Sequence, residues 1–94
     1  MKFRKKPVMI DAFQLRSGET LPDWFCTALL EGRVRFPNSY IDGDGAVANA
    51  PAFIQTLEGE MRADDGDWII RGVKGEIYPV KDEIFMATYE AVVE

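Results

Sequence analysis

The sequence predicts a small α+β domain. Its expected core is a curved, mostly antiparallel sheet, a meander or partial barrel, with one main helix over about 21–31 and one short C-terminal helix over about 82–89. Three observations carry this. Apolar and polar residues alternate in several short runs, as half-buried strands require. In the second half these runs are separated by glycine at short, regular intervals. One stretch alone shows helical spacing, with proline at its start and glycine just beyond its end. At 94 residues, the chain is read as a single domain, 1–94.

Val8, Ile10, Ala12 and Gln14 alternate with Met9, Asp11, Phe13 and Leu15. Apolar residues on both faces predict a strand central in its sheet. Arg16 to Thr20 is a turn. Leu21, Phe25 and Leu29 then recur every four residues, with Trp24, Ala28 and Leu30 widening the apolar stripe. Pro22 suits a first helical turn, Asp23 suits the dipole there, and Gly32 suits the exit. Arg33 to Phe36 alternates as a short strand. Tyr40-Ile41 resumes one before a tight turn at Asp42-Gly43-Asp44-Gly45, and Ala46 to Pro51 reads as a loop. From Phe53 a meander follows: Phe53–Leu57, Glu60–Ala63, Trp68–Arg71 and Glu76–Val80, with Pro79 at an edge or strand end. Lys81 to Tyr89 reads as the short helix, and Ala91 to Val93 as a closing strand.

Composition excludes several chemistries. There is no histidine, which removes Ser-His-Asp catalysis and most transition-metal sites. The lone Cys26 allows no internal disulfide and reads as a small hydrophobe on a helix face. Asp42, Asp44 and Gly45 echo the start of a calcium loop, but the later ligands and closing glutamate are missing. Asp64, Asp65 and Asp67 read as turn makers. No metal, no cofactor and no catalytic residue are therefore expected. The basic N-terminus is followed by a segment too polar for a signal core, and no run has the ~20 apolar residues of a membrane span. The expected compartment is the cytoplasm.

Sixteen acidic and eleven basic residues give a net charge of −5. That sign disfavours duplex nucleic acid, whose binding rests on phosphate neutralisation. Four of the eleven basic residues lie in the first six positions, a local patch better suited to a small anion. A chain this short has a limited core, so a homo-oligomer is expected.

The opening Met1-Lys2-Phe3-Arg4-Lys5-Lys6-Pro7-Val8 resembles the start of many small proteins encoded by tailed phages and prophages. The second half resembles the same family through five stretches. These are Thr56–Met61, Gly66-Asp67-Trp68-Ile69-Ile70, Gly72-Val73-Lys74-Gly75-Glu76, Tyr78-Pro79-Val80-Lys81, and Ile84-Phe85 with Thr88-Tyr89-Glu90. The resemblance covers about half the chain, at its two ends; residues 16–52 carry no such signature. Where the family has Pro-Gly-Asp, this chain has Asp65-Gly66-Asp67, and the turn is expected to survive. The family is one of unknown function. The resemblance implies an accessory protein in the host cytoplasm during infection, such as an inhibitor, a decoy or a sponge for defence signals.

The candidate ligand-binding residues follow from charge, aromaticity and glycine. Trp68 offers a base-stacking ring, Tyr78 a ring with a hydroxyl, and Arg71, Lys74 and Lys81 offer phosphate contacts. Gly72 and Gly75 would admit a ligand close to the backbone. Arg4, Lys5 and Lys6 add charge if the first strand lies beside this segment. The bland alternative places Trp68, Ile70 and Tyr78 in the core and the lysines in wet turns. Three non-catalytic functions stand side by side: sequestration of a small anionic ligand such as a cyclic nucleotide immune signal, an acidic inhibitor of a host defence enzyme, and a minor virion or assembly component.

Overall fold

A computed structural model describes residues 1–4, 7–37, 40–42, 45–47 and 50–92. The α+β class holds. Among the described residues the elements are, in chain order, β1 (Asp11–Gln14), α1 (Asp23–Leu30), β2 (Val34–Arg35), β3 (Tyr40–Asp42), β4 (Gly45–Val47), β5 (Ala52–Thr56), β6 (Gly59–Ala63), β7 (Trp68–Arg71), β8 (Ile77–Val80) and α2 (Asp82–Thr88). The strands form two three-stranded antiparallel sheets, ordered β1-β7-β8 and β2-β5-β6, and a two-stranded β3-β4 pair, and the sheets do not close into a barrel.

One apolar core joins α1 to both larger sheets. Leu15, Phe25, Ala28, Ala52, Ile54, Ala63 and Ile69 are fully buried in it, and Leu21, Val34, Phe36 and Ile77 nearly so. Four edge-to-face contacts link Phe13, Trp24, Phe25 and Phe36, a geometry that sets positive ring edges against negative ring faces. Helix α1 ends as Gly32 predicts. Gly32 adopts φ +79°, its N–H donates to the Leu29 carbonyl, and the Arg33 N–H donates to that of Ala28. Those two bonds make a Schellman motif, which only a residue tolerant of positive φ completes cheaply.

The predicted meander is present but divided. After β6 the turn at 64–67 carries the chain from one sheet to the other, where β7 pairs with β1. The Asp67 N–H donates to the Asp64 carbonyl at 3.0 Å and Gly66 takes φ +92°. A glycine with positive φ at the third turn position is the type II pattern, with Asp65 standing where proline is favoured. The turn is tied to the end of β1: Gly66 N–H donates to the Leu15 carbonyl and Leu15 N–H to that of Asp67.

Some expectations need correction. The first strand lies at the edge of its sheet, not the centre, and its ladder starts at Asp11, leaving Val8 and Met9 exposed. Phe13 packs on Trp24 and Phe25 of α1, while on the other face Gln14 makes a polar bond to Asp82 of α2. Ala46 and Val47 belong to β4, not a loop. Ala91 and Val92 form no strand. Residues 43, 44 and 93, parts of the predicted tight turn and closing strand, lie outside the described residues.

Candidate binding surface

The β7-β8 hairpin separates the residues that the sequence sets side by side. Trp68 stands opposite Val80, Ile70 opposite Tyr78 and Arg71 opposite Ile77. Side chains alternate between faces along a strand. Trp68, Ile70 and Tyr78 therefore share the α2 face, while Ile69, Arg71 and Ile77 share the α1 face. Arg71 and Trp68 are not parts of one pocket.

On the α1 face, the Arg71 guanidinium donates through Nη2 (2.5 Å) and Nε (3.2 Å) to Asp11 Oδ2 and lies 5.1 Å from the centre of the Trp24 ring. The neighbouring turn, 72–75, brings Lys74 to the surface. Its recess is already filled. The Lys74 N–H donates to Glu76 Oε2 at 3.0 Å, and a Cβ at Gly72 would collide with that carboxylate. Gly72 thus admits the chain's own Glu76, and Gly75 supplies positive φ to close the turn. Arg33 reaches the same turn, donating from Nη1 to the Gly75 carbonyl at 3.2 Å, while its buried Nε has no hydrogen-bond partner.

On the α2 face, Trp68 stacks on Phe85 with ring centres 4.0 Å apart and planes 6° from parallel, and Phe85 stacks in turn on Tyr89. Trp68 Nε1 donates to Asp82 Oδ1 at 2.7 Å. Burial, and after it a hydrogen bond with the Tyr89 hydroxyl, push the Tyr78 phenol up to about 12. Ile70 is fully exluded from water beneath this aromatic ladder.

Lys81 donates to Asp67 at 3.0 Å and to Asp64 at 3.4 Å, and the Asp67 bond chiefly holds its ammonium above the usual lysine range. Asp64 is held below the ordinary carboxylate range chiefly by Arg62, which donates to it at 2.7 Å. Asp65 accepts from the Ser17 N–H, and the nearly buried Asp67 from the Asp64 N–H. The three aspartates are turn and ion-pair residues. Among the described residues, no three His, Cys, Asp or Glu side chains converge as a metal site would need.

Arg4 is exposed, and β1 does run beside β7, so the N-terminal segment enters at the Arg71 end of the sheet. Lys5 and Lys6 lie outside the described residues. The structure thus brings together Trp68 with Tyr78 through Phe85 and Tyr89, and places Arg71 and Lys74 at the far end of the hairpin.

Two surface recesses carry mostly negative charge. One of about 360 Å³ beside α2 is lined by Asp65, Asp67, Asp82 and Glu83, with Lys81 its one cation and Gln14 bridging to Gly66 and Asp82. A second, of about 340 Å³, is lined by Leu57, Met61, Ile77, Tyr78 and Pro79, with Glu58 and Glu76 on it. Beside the first recess α2 leaves Ile84 and Met86 well exposed. Sequence reasoning sets Ile84 on the packed side of α2 with Phe85, Thr88 and Tyr89, whereas it is exposed, and assigns no site role to Gln14, Asp82, Ile84 or Met86. Only the apolar residues of α2 falling off its Phe85–Tyr89 stripe would have signalled the last two.

No helix among the described residues is long and apolar enough to cross a membrane. No protein-family model matches this chain, and neither a curated protein nor a solved structure gives a match.

Proposed function

We propose that this chain acts by binding rather than catalysis, and that its partner is a protein with a basic surface. The observation that carries the reading is the surface beside α2. The first turn of α2 lines a recess bearing Asp65, Asp67, Asp82 and Glu83, and the helix leaves Ile84 and Met86 exposed on its two outer flanks. Exposed apolar side chains flanking a strip of carboxylates complement a basic surface with apolar neighbours, and such complementarity steers association and selects partners. The phage-like segments make a host enzyme the expected partner class, with the chain as its inhibitor.

The test is capture from host extract on immobilised protein, followed by titration with the recovered partner. Binding should weaken as salt rises and should be lost in Glu83→Lys and in Met86→Asp. Both side chains are exposed, so melting temperatures should match the wild type. Capture unaffected by both substitutions would overturn the reading.

The second reading, sequestration of a small anion, is supported by Arg71 on Trp24 beside the Lys74 turn. It competes with the Asp11 and Glu76 carboxylates already placed there. A melting panel with cyclic and linear nucleotides separates the two. A ligand at about a hundred times its Kd adds about 2.7 kcal/mol, and that gain should vanish in Lys74→Glu. A flat panel leaves the protein-binding reading.

A further inference from the structure

The sequence of β6 and the direction of its backbone together specify a partner for its open edge. The Gln55 N–H donates to the Arg33 carbonyl at 2.9 Å, so the β5 backbone at residue 55 faces β2. Successive residues of an antiparallel strand face opposite neighbours. Ile54 and Thr56 consequently face β6, and their partners Met61 and Gly59 face back to β5. Glu60 and Arg62 are left with their N–H and C=O groups directed at the outer edge.

That edge is open among the described residues. β6 is the terminal strand of its sheet, and residues 59–62 are exposed. β8 comes close to both β5 and β6 and therefore lies over their face. A strand beyond β6 would stand two ladder spacings, about 9–10 Å, from β5. Of the devices that usually blunt an edge, β6 has only charge, in Glu60 and Arg62, which pair with Arg35 and Asp64 and are of opposite sign. The five-residue register has no bulge, and the strand has neither proline nor lysine.

We infer that two copies of this chain pair antiparallel along β6, about a two-fold axis at Met61, fusing their β2-β5-β6 sheets into one. Charge selects this register. Only Glu60 and Arg62 have outward backbone groups, so self-pairing can oppose Glu60 to Glu60, Arg62 to Arg62, or Glu60 to Arg62. The first two set like charges across the ladder, which is destabilising, and the third sets opposite charges on both sides of the axis. The third alone also lets both residues of each copy exchange their N–H···O bonds at once. The two Met61 side chains meet at the axis on the face that carries Leu57, Ile77, Tyr78 and Pro79, and Leu57 is fully exposed in the single chain. Pairing withdraws the two Met61 side chains from water. The inference rests on β6 and is independent of the surface beside α2.

Sedimentation equilibrium from low to high micromolar concentration tests it. The wild type should approach twice the 10.6 kDa chain mass. Glu60→Arg and Arg62→Glu should each weaken association about tenfold or more, by turning two attractive cross-strand pairs repulsive. The double variant E60R/R62E should regain it, because the swap restores opposite charges. Arg62→Pro removes an outward N–H, together with the surface ion pair to Asp64, and should give a folded monomer. A wild type that stays monomeric overturns the inference, as does a dimer indifferent to the charge reversals. Should the proline variant fail to fold, the charge swap decides alone.

Discussion

The two faces of the β1-β7-β8 sheet are covered by helices of opposite character. Helix α1 buries Phe25 and Ala28 completely, packs them against Leu15 and Ile69, and closes with two capping bonds at Gly32. Helix α2 has no fully buried residue and meets the sheet through a stack of rings and a few polar bonds, and the chain after it is extended at Tyr89. One attachment is a filled volume and the other is a set of contacts. Close packing makes the first sensitive to any lost methylene. The second can open locally without the core giving way. A helix so lightly held, with Ile84 and Met86 outward, is suited to meeting another molecule.

Substitutions should expose this contrast in order of size. Phe25→Ala removes the centre of the ring cluster and should cost about 3–5 kcal/mol, measured by the midpoint of denaturant unfolding. That is a large part of the roughly 5–15 kcal/mol available to a domain. Phe85→Ala should cost about 1–2 kcal/mol, since it removes two stacked contacts at a half-exposed site. Hydrogen exchange should show protection lost over 82–88 and kept over 23–30; equal loss in both would mean that the two faces are not separate units.

Alkali should act on the α2 face through Tyr78. The Tyr78 phenol is raised from 10.0 to about 12 by burial and by Tyr89. Its neutral form is favoured in the folded chain. The unfolded chain releases the proton first as pH passes 10, so the folded state holds more protons between 10 and 12, and stability falls across that window. Below 10 this contribution is fully present. Phenolate absorbance should therefore show one tyrosine titrating near 12, and Tyr78→Phe should remove that part of the alkaline loss. The smallest effect is expected at the 64–67 turn. Asp65→Pro gains about 0.4–1 kcal/mol from a stiffer unfolded chain and loses the Ser17 bond, worth about 0.5–1.5 kcal/mol. Thermal melting should show a net change of about 1 kcal/mol or less in either direction.

Local features of this fold were legible because short-range physics dictates them. The spacing of Phe25 and Leu29, the proline before the helix and Gly32 after it all report interactions within one or two turns. The Asp65-Gly66 step announces its turn for the same reason. Long-range partners were not legible. Asp11 finds Arg71, Trp68 finds Asp82 and Lys81 finds Asp64 and Asp67 only once β1 has paired with β7 and the chain has crossed between sheets. The proposed ligand cluster dissolved on a point that alternation alone could have supplied. Trp68 and Arg71 are an odd number of residues apart on one strand, and such residues face opposite sides. Gly72 misled differently. Its small size made room as expected, but for a neighbouring side chain.

That last contact couples positions 72 and 76. Any side chain at 72 evicts the Glu76 carboxylate, and a shortened residue at 76 removes the reason for glycine. Each change alone also strips the Lys74 N–H of its acceptor, whereas a change at both leaves space that a different turn can fill. The carboxylate is the far end of a flexible side chain at the surface, so a residue at 72 can swing it out to water at small cost, and the pairing sets a preference between the two positions rather than a barrier.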